Sequence, residues 1–271
     1  MTALALDDGA RRAYDVFAAF YDEFTADHRV DEWTALLERL AAAAGLRGRR
    51  LLDVACGTGR CLAAMRERGY EVSGCDISPR MLAVARRRLP AGARLAACDM
   101  RALPALGSFD LVWILGDAVN YLDGPDELAD TFAGVRRNLA GGGILIFDAA
   151  TLLSFRTSYA GLLVRPGSER VLVLDGHGDP ALPAGGAAEV WIDRLRPEGN
   201  GGWWRRERTV HHLRHHPEPV IRGALAAAGL ACVDVRGNRA GGEAEPWLDE
   251  LSHTKALYIA RQEAPDRDEG R

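Results

Sequence analysis

Lysine is almost absent from this chain of 271 residues: of its 34 basic residues other than histidine, all are arginines except Lys255. Acidic residues number 38, so the formal net charge is −4 and the isoelectric point lies near 6.0. Proteins that bind nucleic acid usually carry a basic stripe. The short run "RRRLP" at 86–90 is typical of a solvated helix face instead, and we expect no nucleic-acid partner.

Paired cysteines and long apolar runs are also missing. The five cysteines are odd in number and form no C-x-x-C pair, which predicts free thiols in a reducing cytosol. No apolar run approaches the roughly 20 residues that a membrane-spanning helix needs, and no segment resembles a signal peptide. We therefore expect a cytoplasmic protein without a membrane partner, and a homodimer stays open.

Strand-like and helix-like segments alternate through the first half of the chain. Apolar runs such as "RRLLDVAC", "YEVSGCD" and "FDLVWILG" are separated by amphipathic stretches such as "PRMLAVARRRL". Buried strands joined by helices predict a parallel sheet that is covered on both faces. Upstream, the aromatic spacing in "RRAYDVFAAFYDEF" predicts one helical face, so residues 1–45 are interpreted as an N-terminal helical segment and 46–150 as the core.

The pattern changes between residues 151 and 216. Short strand-like pieces, "RVLVLD", "AEVWIDRLR" and "WWRRERTVHHLR", are separated by segments rich in glycine and proline. This pattern predicts an inserted antiparallel β lid. Residues 217–262 then predict the last helix and strands of the core, and 263–271 a mobile tail.

Three consecutive predicted strands end in a carboxylate: Asp53, Asp76 and Asp99. Because the carboxyl ends of parallel strands meet at one edge of the sheet, these side chains predict a ligand site there. A glycine turn, "ACGTG", follows Asp53 and would let a ligand approach the backbone closely. In the dinucleotide-binding motif G-x-G-x-x-G/A, the third glycine position is occupied here by Leu62. The negative charge of Asp53 also disfavours a pyrophosphate. The pattern therefore indicates a cofactor with a cationic end.

The segments "LLDVACGTGR", "GCDISPRML", "ACDM" and "FDLVWILGDAVNYL" together resemble the class I S-adenosylmethionine-dependent methyltransferases, in the small-molecule branch with glycine and sugar N-methyltransferases. The resemblance implies an α/β fold: a Rossmann-like seven-stranded, mostly parallel sheet with helices on both faces, the N-terminal helical cap and the antiparallel lid. It also implies S-adenosylmethionine as cofactor, S-adenosylhomocysteine as product and a small-molecule substrate, for example in natural-product biosynthesis.

The resemblance further implies which residues bind the cofactor. The methionine part would contact the turn, the ribose would bind Asp76, and the cap would cover the cofactor through its tyrosines. The expected cofactor-binding residues are Tyr14, Tyr21, Asp53, Ala55, Gly57, Gly59, Asp76, Ile77, Met81, Asp99, Met100, Leu115 and Gly116.

Candidate catalytic residues follow the fourth strand and end the lid. Asp117 and Tyr121 belong to the first group, and His211 and His212 to the second. If residues 205–214 form a strand, only one of the two histidines faces the pocket. No carboxylate or cysteine is spaced to complete a metal site, so no metal is expected. Two functions stay open: methyl transfer to N or O of a small molecule, and a non-methylating or sensing protein that uses the same fold and cofactor.

Overall fold

The computed structural model describes residues 9–167, 169–199, 202–239 and 243–262, so the expected tail 263–271 lies outside the described residues. The helices are α1 (Gly9–Phe17), α2 (Tyr21–Phe24), α3 (Val30–Ala43), α4 (Arg60–Glu67), α5 (Pro79–Arg88), α6 (Pro125–Asn138), α7 (Leu152–Arg156) and α8 (Glu218–Ala227). Short 3-10 helices span Met100–Ala102, Ala118–Tyr121 and Ser158–Ala160. The strands are β1 (Arg50–Val54), β2 (Glu71–Asp76), β3 (Arg94–Ala97), β4 (Phe109–Ile114), β5 (Leu139–Ala150), β6 (Leu162–Pro166), β7 (Val171–Gly176), β8 (Ala187–Glu198), β9 (Trp203–Arg214), β10 (Leu230–Asn238), β11 (Ala244–Glu245) and β12 (Lys255–Gln262).

The larger sheet has the strand order β11-β10-β12-β5-β4-β1-β2-β3. Its five strands from β5 to β3 are parallel, whereas β12, β10 and β11 are antiparallel to their neighbours. This confirms the expected mostly parallel α/β fold. The two-residue strand β11 adds an edge strand to the seven expected.

The apolar runs form buried strands because both faces of the sheet are covered. Along β4, Leu111 and Trp113 belong to the apolar cluster on one face, and Val112 and Ile114 to the cluster on the other. Each of these four side chains is fully buried, which stabilises the fold by about 1.5–3 kcal/mol per side chain. The carboxyl ends of the parallel strands are thereby held at one rigid edge.

The N-terminal cap differs from the expected continuous helix. The chain turns at residues 18–20, so that α1 ends at Phe17 and α2 begins at Tyr21. The turn buries Phe20 next to Phe17, with ring centroids 5.0 Å apart, and places its ring under the guanidinium of Arg194 on β8. Contact with the second sheet therefore overrides the local helical periodicity.

The second sheet has the order β6-β7-β8-β9 and is antiparallel throughout. Its inward side chains, among them Val190, Ile192 and Leu213, form one apolar cluster with Phe17 and Phe20 of the cap. The expectation of an antiparallel sheet outside the parallel one is thus confirmed. Within the described ranges, no helix is both long and apolar enough to cross a membrane.

Asn120 joins the two sheets, which yields a stability prediction. Its side chain donates to the Arg214 carbonyl and accepts from the Ala150 N–H, each at 2.8 Å, and it is fully buried. We expect Asn120→Ala to lower the free energy of unfolding by about 2–4 kcal/mol, because two buried backbone groups lose their partners. Urea unfolding measures this, with Leu162→Ala, at a side chain that is 67% exposed, as control. Equal effects of the two substitutions would contradict the joining role.

Candidate functional site

The glycine turn begins directly after β1 and adopts left-handed backbone angles. Ala55 has φ +61°, Gly57 +54° and Gly59 +75°. A residue with a Cβ is strained by roughly 1–3 kcal/mol in this region, so the Ala55 conformation is held by its surroundings. Gly59 serves packing: a Cβ there would lie 3.1 Å from the Cβ of Ala85 on α5.

Asp76 ends β2 and is buried between two loops. Its carboxylate accepts hydrogen bonds from the N–H groups of Gly57 and Ser78, each at 2.8 Å. Burial raises the pKa of Asp76 from 3.8 to about 6, although the two N–H groups oppose this shift. Ser78 in turn caps α5 by accepting from the Met81 N–H, which fixes the loop after Asp76.

A cavity of about 130 Å³ lies over this edge of the sheet. Most of the expected cofactor residues line it, namely Tyr14, Tyr21, Ala55, Gly57, Asp76, Ile77, Asp99, Met100, Leu115 and Gly116. Asp53 lines the neighbouring larger cavity instead. Gly59 and Met81 line neither cavity, and Met81 is fully buried in the apolar cluster of the cap, so that packing accounts for both.

Asp99 has a partner that the sequence pattern did not reveal. Its carboxylate accepts from Arg101 Nε at 3.0 Å and from Nη2 at 2.7 Å, and Arg101 also contacts Glu127 at 3.4 Å. Arg101 lines the smaller cavity as well. A ligand at this end of the cavity therefore meets a carboxylate whose charge is already neutralised.

The cap is tied to the loops that it covers. Asp15 on α1 accepts from the Ser78 hydroxyl, and Asp22 on α2 accepts from the Thr58 hydroxyl, each at 2.6 Å. Arg60 adds a bond to the Thr25 carbonyl at 2.6 Å. These bonds close one side of the cavity with aromatic side chains of the cap.

A larger cavity of about 980 Å³ continues from the smaller one. The two share wall residues, including Tyr14, Gly57 and Tyr121. Leu174, Val190, Ile192 and Leu213 of the antiparallel sheet, together with aromatic residues of the cap, form much of its far wall. The two sheets thus enclose a space in which a second ligand would meet the first.

The histidine pair divides between the two faces of β9, as the strand pattern requires. His211 is buried: its Nδ1 lies 2.9 Å from the Tyr121 hydroxyl, and Tyr121 accepts from Tyr14 at 3.0 Å. Burial lowers the pKa of His211 to about 4, so its ring is neutral near pH 7. His212 borders the smaller cavity with a side chain that is 68% exposed and pairs with Glu189 at 3.4 Å.

Asp117 lies in a charge cluster that the sequence pattern also did not reveal. It has φ +60°, its N–H donates to Asp148 at 2.6 Å, and its carboxylate accepts from Tyr159 at 3.1 Å. Lys255, the sole lysine, forms ion pairs with both Asp117 and Asp148. All four side chains line the larger cavity and supply polar groups to its wall.

Comparisons with known proteins show what this chain is similar to. A family model described as a methyltransferase domain matches residues 51–143. A Geobacillus sp. (strain WCH70) protein named as a methyltransferase is 33% identical over 226 residues, which cover 82% of this chain and 90% of that protein. A Bacillus subtilis (strain 168) protein, also named as a methyltransferase, is 37% identical over 138 residues, and the chain spans about half of its length, 54%.

A solved structure has the same architecture. The S-adenosylmethionine-bound amino pentose methyltransferase from Micromonospora echinaspora is 26% identical, with a TM-score of 0.65. The match covers 89% of this chain and 95% of that one. The match thus extends over most of both chains.

The buried Asp76 carboxylate gives a prediction about pH. Because its pKa is higher in the folded chain than in the unfolded one, Asp76 stabilises the fold below about pH 4, and this contribution is lost as the pH rises through about 6. Above pH 6, we expect the free energy of unfolding of Asp76→Asn to be about 2–3 kcal/mol higher than that of wild type. Near pH 4, we expect the two free energies to be equal. Urea unfolding between pH 4 and 8 checks this, and parallel stability curves would contradict it.

Proposed function

Because this chain belongs to the class I S-adenosylmethionine-dependent methyltransferases, we propose that it transfers a methyl group to a nitrogen or oxygen atom of a small molecule. S-Adenosylmethionine would bind in the smaller cavity and the acceptor in the larger one. The observation that carries the proposal is that the two cavities meet beside Tyr14, Tyr121 and Gly57. S-Adenosylhomocysteine would be the second product.

The residues of the smaller cavity fit this cofactor. Asp76 lies where an acidic residue accepts the two ribose hydroxyls in open parallel sheets. Ile77 and Met100 supply apolar surface for an adenine ring, and Asp99 and Arg101 supply polar groups at its edge. The cofactor brings a methyl group that is already activated on a sulfonium, so the chain's part is to orient the acceptor and exclude water.

The walls of the larger cavity support a small acceptor with an apolar body and a polar group. Residues 151–216 would act as the substrate lid, and their inward side chains supply aliphatic surface. Asp117, Tyr159 and Lys255 would bind a polar group of the acceptor at one end. The fold shared with an amino pentose methyltransferase supports an amine acceptor, and an enclosed pocket of this kind suits a natural-product intermediate.

Three of the candidate catalytic residues keep a role in this proposal. Tyr121 and the neutral His211 would help to remove the proton that a hydroxyl acceptor releases, and Asp117 would orient the acceptor. His212 faces away from His211 and contributes at most at the rim. An amine acceptor that arrives neutral needs orientation alone, because its nitrogen is already nucleophilic.

Calorimetric titration with S-adenosylmethionine, followed by mass spectrometry of amines and phenols incubated with the protein, tests the proposed function. We expect binding and a product 14 mass units heavier than its acceptor. Asp76→Ala should weaken cofactor binding by about 1–3 kcal/mol, because charge-assisted bonds to the ribose are lost. Binding without any heavier product would favour the sensing or non-methylating alternative, and absence of binding would overturn the proposal.

The two adjacent histidines form a matched pair for a kinetic prediction. With a hydroxyl acceptor, we expect His211→Ala to lower kcat by about 10²–10⁴, whereas His212→Ala leaves it near that of wild type. With a neutral amine acceptor, His211→Ala should raise KM more than it lowers kcat. Equal kinetics in the two variants would show that the buried histidine takes no part in turnover.

A further inference from the structure

A chain of hydrogen bonds leads from the cavities into the antiparallel sheet. It begins at the Tyr14 hydroxyl, continues through Tyr121 to His211 Nδ1, and leaves the ring at Nε2, which lies 2.8 Å from the Thr209 hydroxyl. Thr209 ends the chain at the carbonyl oxygen of Ile192, 3.3 Å away. Thr209 and His211 are both 2% exposed and share the inner face of β9, so water does not substitute for either partner.

The direction of this chain follows from its far end. A carbonyl oxygen only accepts, so the Thr209 hydroxyl donates its one proton to the Ile192 carbonyl. The same hydroxyl therefore accepts from His211 Nε2–H. A neutral imidazole carries one N–H, which leaves Nδ1 as the acceptor for Tyr121. Tyr121 then accepts from Tyr14, whose remaining lone pair is free to accept from a ligand in the cavity.

We propose that Thr209 is a positioning residue that sets the tautomer of His211; this inference rests on the proposed function. The tautomer makes Tyr14, Tyr121 and His211 a proton relay that runs in one direction, from the cavity to His211. The acceptor substrate it serves is a neutral protic nucleophile, whose O–H or N–H donates to the Tyr14 oxygen. Without the threonine hydroxyl, the opposite tautomer is favoured, the relay reverses, and Tyr14 presents a donor instead.

The proton balance is simple. As the nucleophile gains the methyl group, it loses one proton to the Tyr14 oxygen. Tyr14 passes its own proton to Tyr121, and Tyr121 passes one to His211 Nδ1, so the ring becomes an imidazolium that keeps its bond to Thr209. The proton returns to solvent when product leaves. The chemistry suits a hydroxyl best, since a methylated hydroxyl is a far stronger acid than an imidazolium.

Few charged groups compete for this proton. The titratable side chains that face His211 are Tyr14 on α1 and Tyr121 on the 3-10 helix, and His212 adjoins it on β9. Asp76 acts on Tyr14, and Asp117 acts on both Tyr14 and Tyr121, at longer range. Burial keeps the pKa of both tyrosines above the usual range, so their hydroxyls pass protons on rather than hold a charge.

Nitrogen NMR of the full chain labelled with ¹⁵N-histidine tests the inference without substrate or cofactor. His211→Gln identifies the His211 signals by their loss. At pH 7.5 we expect wild type and Thr209→Ser to show protonated Nε2 and unprotonated Nδ1 in His211. Thr209→Val, which keeps the shape and removes the hydroxyl, should shift the ring towards the Nδ1–H tautomer.

A protonated Nδ1 in wild type, or an unchanged tautomer in Thr209→Val, would overturn the inference. With a phenol acceptor found in the panel, Thr209→Val should lower kcat about 10²-fold with little change in KM, and Thr209→Ser should restore it. A reversed tautomer with unchanged kcat would rule out the relay. If S-adenosylmethionine does not bind at all, the proposed function fails, while the tautomer experiment still reports on Thr209.

Discussion

The hydrogen bonds from Gly57 and Ser78 to the Asp76 carboxylate hold together the edge of the larger sheet that borders the smaller cavity. The Gly57 bond joins the loop after β1 to the end of β2, 19 positions away, and the Ser78 bond fixes the loop that follows β2. Burial of the carboxylate between these loops raises its pKa to about 6, so the fold loses stability in order to keep the carboxylate ionised near neutral pH. Such an arrangement is expected where a ligand, rather than the fold, needs the charge.

The cap and the antiparallel sheet depend on this edge and on each other. Asp15 and Asp22 attach the cap to the two loops, while Phe17 and Phe20 pack against the inner face of the second sheet. The cavities are therefore closed by elements that share one apolar cluster. Displacement of the cap would open both cavities at once, which suits an enzyme that must exclude water during methyl transfer and then release its products.

The polar groups around the junction of the cavities form two separate sets. Lys255 forms ion pairs with both Asp117 and Asp148, so this set consists of charged groups. The Tyr14–Tyr121–His211 set carries no charge near pH 7, because burial lowers the pKa of the histidine and raises that of the tyrosines. Beside the proposed site of a cationic cofactor, a neutral set of donors and acceptors avoids a buried like charge and leaves proton transfer available.

The sequence by itself determined the parallel core, the glycine turn and the position of Asp76, because strands that end at one edge bring their last residues together without help from distant segments. It also determined that only one of His211 and His212 faces inward, since side chains alternate along a strand. Tertiary structure alone decided that this residue is His211 and that Lys255 pairs with Asp117 across 138 positions. Contact of the cap with the second sheet also decided that the cap helix is interrupted at residues 18–20. These features depend on how separate elements pack, and the local spacing of residues carries no signal for partners that lie on another element.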